Sequence, residues 1–126
     1  GIYARMLSDD SMIIRHQALQ NIRDLKLKNL APFVWKMLYN KKNYVGLKGS
    51  RKRSSIIKDA IKTVGELDFK TAKKPMLKMI QGKKYKDVHE EFDYSLSKIV
   101  GKASPKGSLQ AKKHYWQRLA LKEVTI

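Results

Sequence analysis

Residues 14–25 read Ile-Arg-His-Gln-Ala-Leu-Gln-Asn-Ile-Arg-Asp-Leu, and residues 56–67 read Ile-Ile-Lys-Asp-Ala-Ile-Lys-Thr-Val-Gly-Glu-Leu. Slid by 42 positions, Ile14 meets Ile56, Ala18 meets Ala60, Leu19 meets Ile61, Ile22 meets Val64 and Leu25 meets Leu67. Within each stretch the apolar residues fall at i, i+4, i+5, i+8 and i+11, the stripe of a 3.6-residue helix. The match runs on through a second apolar segment. Leu27 meets Phe69, Val34 meets Met76, Trp35 meets Leu77, Met37 meets Met79 and Leu38 meets Ile80. Lys41 and Lys42 then meet Lys83 and Lys84, while Pro32 and Pro75 miss each other by one position. Ten apolar matches through two helices and their connecting turn point to an internal repeat of a helical hairpin.

Outward from this pair the pattern stays helical. Asn29 and Thr71 are placed to cap the second helices, with Pro32 and Pro75 early in them. Ser54 or Ser55 is expected to open the helix of Ile57–Leu67, and Asp87 with Glu90 fits a capping box before a helix through Phe92, Leu96, Ile99 and Val100. Ser95, Leu96 and Ile99 overlay Ala60, Ile61 and Val64 at a spacing of 35, which marks a third first-helix. Residues 41–53, with Gly46 and Gly49, read as a loop, and no alternating strand stands out. The expected organisation is one all-α domain over 1–126. It comprises the end of a preceding unit at 2–8, repeat one at 11–42, repeat two at 54–84, a partial third repeat at 87–102 and a capping helix at 108–122.

Helix pairs of this period, with a small residue and then an aliphatic one at mid-helix (Ala18-Leu19, Ala60-Ile61, Ser95-Leu96), resemble the HEAT family. Ser8-Asp9-Asp10-Ser11 stands where that family favours an acidic turn, Ile14-Arg15 where it has Val-Arg, and Val64-Gly65 where it has an aliphatic residue and glycine. Repeat two departs at Ile57-Lys58, which lacks the arginine, and the 41–53 segment exceeds most turns between units; armadillo-like and other helix-pair solenoids share the pattern. The resemblance, over about residues 2–102, implies a right-handed stack of antiparallel helix pairs, an alpha-alpha superhelix of about three repeats. It also implies a scaffold that binds an extended partner, usually protein and sometimes nucleic acid, through the face lined by second helices.

Composition limits the chemistry. In 126 residues there are 28 Lys and Arg against 11 Asp and Glu, a formal charge of +17, and no cysteine. Disulfide scaffolds, cysteine-based zinc sites, iron–sulfur centres and thiol catalysis are therefore excluded. No apolar run reaches the length of a membrane span, so a soluble chain is expected; the cytoplasm is slightly favoured over export, although Gly1 in place of Met leaves processing open. Residues 41–86 hold fifteen of the basic side chains and three acidic ones. Lys41, Lys42, Lys48, Arg51, Lys52 and Arg53 form an acid-free run, Lys73, Lys74 and Lys78 are spaced along a second helix, and Lys83, Lys84 and Lys86 form a second basic turn. Tyr39, Tyr44 and Tyr85 are interleaved with them. Tyr44, Tyr85 and these twelve cations are the candidate contacts for a partner or for a polyanion such as nucleic acid, whose counterions Lys and Arg displace. A lysine-rich surface that only keeps the chain in solution explains the same composition.

Catalytic signals are weak. His16, His89 and His114 are dispersed; His89, Glu90 and Asp93 make at best half of a metal site, and there is no HExxH, phosphate loop or nucleophile elbow. Some glycosylases acting on alkylated DNA bases are built from HEAT-like repeats with aromatics on a basic face, a part open to Trp35 and Trp116, yet core packing and a lid over the last repeat account for both. The expectation is a non-catalytic binding module with no cofactor or metal, engaging a protein, or nucleic acid through residues 41–86.

Overall fold

The computed structural model of the chain describes residues 1–45, 52, 53 and 55–125. The described chain is mostly helical, as the periodicity requires. Helix α1 spans Ile2–Met6, α2 Met12–Asp24, α3 Ala31–Lys36, α4 Ser55–Glu66, α5 Lys73–Met79, α6 His89–Val100 and α7 Leu109–Thr125. Ser11 caps α2 by accepting the Ile14 N–H at 3.5 Å. No helix among the described residues is long and apolar enough to cross a membrane.

The 42-residue offset seen in the sequence recurs in the backbone. Helix α2 ends with Lys26 at φ 51° and α4 with Asp68 at φ 54°, two non-glycine residues in the left-handed region at equivalent positions. Lys26 N–H donates to the Arg23 carbonyl and Leu27 N–H to the Ile22 carbonyl, at 3.1 and 3.0 Å. Asp68 N–H donates to the Gly65 carbonyl and Phe69 N–H to the Val64 carbonyl, both at 3.0 Å. These are paired Schellman motifs, which satisfy carbonyls that a helix end otherwise leaves open. Each leads into a 3-10 turn, Lys28–Leu30 and Lys70–Ala72, and then into the short second helix.

That path corrects the expected caps. Asn29 and Thr71 lie inside the 3-10 turns, and Leu30 and Ala72 occupy the N-cap positions without a side-chain cap. The physical reason is local: Ala31 N–H already donates to the Lys28 carbonyl and Lys73 N–H to the Lys70 carbonyl, so the turn bonds the donors that Asn29 and Thr71 would serve as caps. The Asp87–Glu90 box is likewise replaced by a 3-10 turn at Lys86–Val88, and α6 starts at His89 behind Val88. The 41–53 segment is not wholly a loop. A 3-10 turn at Lys41–Asn43 is followed by a two-residue antiparallel ladder, β1 (Tyr44–Val45) and β2 (Lys52–Arg53), in register Tyr44 with Arg53 and Val45 with Lys52.

Packing follows the first helices. Helix α4 lies between α2 and α6, and its contact with α6 is the most extensive between elements of the described residues. Ala18, Leu19 and Ile22 of α2, Ile57, Ala60, Ile61 and Val64 of α4, and Phe92, Ser95 and Leu96 of α6 are all buried. Small residues set the closeness of α4 and α6: a Cβ placed on Gly65 would stand 2.6 Å from Ser95 Cα. Ser95 Oγ donates to the Ile61 carbonyl across the same seam. Helix α3 packs on α4 and α5 on α6, while α7 covers α5 and α6. Trp116 of α7 is fully buried and donates its indole N–H to Asp93 Oδ1 at 2.7 Å; Ser104 Oγ donates to the same oxygen at 2.6 Å.

The two hairpins differ where their neighbours differ. Leu67 is 2% exposed, but Leu25, its counterpart, is 61% exposed; α4 packs on α2, α3 and α6, whereas α2 packs on α1 and α4. Where α4 has Ile57, α2 has buried Arg15. Its guanidinium donates to Asn43 Oδ1 (2.9 Å), to the carbonyls of Asp9 (2.6 Å) and Asp10 (3.1 Å), and to the Lys42 carbonyl (3.0 Å). Asn43 is buried too and donates to the Met37 carbonyl at 3.0 Å. Arg15 thus clamps the turn before α2 to the turn after α3.

Candidate polyanion-binding face

Charge separates with the architecture. The first helices α2, α4 and α6 hold five Lys and Arg and six Asp and Glu, close to neutral. In the sequence, residues 28–53 and 70–86, which include α3 and α5, hold fifteen Lys and Arg and no acidic residue. Four lysine pairs recur at the repeat spacing of 42: Lys28 with Lys70, Lys36 with Lys78, Lys41 with Lys83 and Lys42 with Lys84. All eight side chains are exposed. Only the last two pairs were visible as turns in the sequence. Lys28 and Lys36 carry no such local signal, although the same offset pairs them with Lys70 and Lys78.

On α5 the buried positions are Met76 and Leu77, with Ala72 and Ile80 at the helix ends, so Lys74 and Lys78, four apart, emerge on the outer side. Lys73 is half-buried and does not share that stripe fully. On α3 the outer side carries Phe33 and Lys36, whose ammonium lies 5.5 Å from the Phe33 ring centre. Lys41, Lys83 and Lys86 are exposed on the turns. Lys42 is engaged: its Nζ is 2.7 Å from Asp10 Oδ1 and 3.1 Å from the Ser8 carbonyl. The hydrogen bond and charge of Lys42 hold the Asp10 carboxyl below its usual value. Lys84 lies 5.6 Å over the Tyr85 ring. Lys48 and Arg51 lie outside the described residues, and of Lys52 and Arg53 only the backbone is described.

Tyr44 and Tyr85 both lie within electrostatic reach of Tyr39. Burial pushes the Tyr39 hydroxyl up, and Tyr85 and Tyr44 are near enough to add to the shift against the opposing indole of Trp35. Their roles diverge. Tyr44 is half-buried and donates to the Leu38 carbonyl at 2.9 Å. Tyr85 is half-buried with its ring edge-on to Phe92, centroids 6.0 Å apart. Tyr39, 54% exposed and edge-on to Trp35, presents the accessible ring.

His89 does not join Asp93 in a ligand pair. It is buried with Nε2 3.0 Å from the Gly82 carbonyl, while Asp93 serves Trp116 and Ser104. Among the described residues no three His, Asp or Glu side chains are grouped to hold a metal ion. Comparison of the chain with protein-family models, with curated proteins and with solved structures gives no match in any of the three.

Proposed function

We propose that the chain is a non-catalytic binding module, a HEAT-like stack of helix pairs whose second-helix side engages the phosphate backbone of nucleic acid. The observation that carries this reading is the lysine ladder: four surface pairs repeating with the fold, with Lys42 among them bridged to Asp10, in stretches that themselves hold no carboxylate. A solvated surface needs charge but no period. Lysine also suits a partner held by backbone attraction, because a compact ammonium pairs with phosphate as a point charge and does not read base edges in the bidentate manner of arginine. Protein binding through the same side, which the family resemblance implies, would draw on an apolar patch. The exposed apolar side chains there, Phe33, Tyr39 and Val45, are interleaved with lysines.

The test is a salt titration with mixed-sequence DNA and RNA. Binding should weaken steeply with salt, the log–log slope being about −0.9 per phosphate neutralised on duplex DNA. Replacing both Lys36 and Lys78 by Gln should reduce that slope by about 2 without changing the helical spectrum. Absence of binding at low salt, or a slope unmoved by the double substitution, overturns the proposal.

A further inference from the structure

The turn after α5 and the start of α7 enclose a cavity of about 380 Å3 lined by Lys83, Lys86, His89, Leu109, Gln110 and Lys113. Three lysines and a glutamine border one hollow. None of the three lysines is within ion-pair distance of a carboxylate among the described residues, although Asp87, next to Lys86, is near enough to act on His89. Lys83 and Lys86 are exposed and Lys113 is half-buried, so the fold brings three like charges to one hollow while leaving them in reach of solvent. His89, 1% exposed, forms the floor and is fixed by the Gly82 carbonyl at 3.0 Å. The hollow also lies at the N-terminal ends of α6 and α7, where the helix dipoles add positive potential.

From this geometry we infer that the hollow is a phosphate subsite, selective for a dianionic phosphate monoester over the singly charged diester of a nucleic-acid backbone. Three lysines set around one cavity match a group carrying close to two negative charges at neutral pH and three acceptor oxygens. The cavity exceeds what a bare phosphate fills, which leaves room for the group that carries it. The inference deepens the nucleic-acid reading and rests on it for the ligand's source, a phosphorylated strand end; free phosphate shares the same chemistry.

The experiment compares 5′-phosphorylated and 5′-hydroxyl oligonucleotides of one sequence, with inorganic phosphate as a third probe followed through the imidazole NMR signals of His89. The phosphorylated strand should bind about tenfold more tightly, and Lys113→Gln should abolish that preference. Lys36→Gln should weaken both strands alike. A saturable shift of His89 by phosphate, lost in Lys113→Gln, supports the subsite even where neither strand binds, and that outcome removes the nucleic-acid reading alone. Equal binding of the two strands, with no shift of His89 at millimolar phosphate, overturns the subsite and leaves the lysine face standing.

Discussion

Replacing Gly65 by alanine tests the packing of α4 on α6 most directly. The added methyl would stand 2.6 Å from both Cα and Oγ of Ser95 and 2.8 Å from its Cβ, against the 3.4–4 Å of ordinary contact. One of these atoms is backbone, so no rotamer change relieves the overlap; the two helices must separate by nearly 1 Å along their tightest seam. Overpacking of this kind costs about 3 kcal/mol, and the better helix propensity of alanine returns about 1 kcal/mol. The net loss of about 2 kcal/mol corresponds to about 8 °C in Tm for a chain of this length. Thermal denaturation followed by circular dichroism measures it. Gly82→Ala is the control, because its added methyl would meet nothing nearer than the Met79 carbonyl at 3.9 Å. A second control, Ser95→Gly in the Gly65→Ala background, removes two of the three clashing atoms and should recover part of the loss. A Gly65→Ala protein as stable as the parent would refute the close approach and, with it, the assignment of glycine to a helix crossing.

Three further outcomes follow from the same coordinates. Arg15→Met should cost about 3 kcal/mol in a urea melt, because Asn43 Oδ1 and the Lys42 carbonyl lose a buried donor; Arg15→Lys should recover little, since an ammonium cannot span both turns. Lys26→Gly and Asp68→Gly should each raise stability by about 0.5–1 kcal/mol, and by similar amounts, because both positions hold positive φ in the same motif. Unequal responses would show that the two turns are not equivalent. Burial, followed by the charge of Lys113, holds the His89 pKa below its usual value. A histidine held neutral by folding contributes stability that is complete above the unfolded pKa of about 6.5 and is lost as pH falls toward the lowered value. Wild type should therefore lose Tm more steeply than His89→Gln between neutral and mildly acidic pH, in phosphate-free buffer; parallel curves would contradict this.

Helix positions and the 42-residue register were legible because they rest on apolar spacing, which burial imposes directly: Ala18 and Ala60, Leu19 and Ile61 all lie inside. The turns were less legible. Lysine and aspartate seldom advertise positive φ, so nothing at Lys26 or Asp68 announces a left-handed residue, and Asn29 and Thr71 carry the capping chemistry that the backbone then satisfies by itself. Arg15 stood out by resemblance alone, since its partners at Asn43 and Lys42 lie 28 and 27 residues away. Distance in sequence also hid the rest of the candidate site. Lys83 and Lys86 were identified from a basic turn, but Gln110 and Lys113 reach the same hollow from α7, and no local pattern joins them.

In the proposed stack, the carboxylate-free segments around α3 and α5 lie to one side of the nearly neutral α2, α4 and α6, and the molecule's charge is offset toward them. In the field of a polyanion such a body turns before it touches. Its encounters would then arrive already aligned, raising the fraction of collisions that lead to capture, and dissolved ions would erode this advantage by slowing association more than by hastening release.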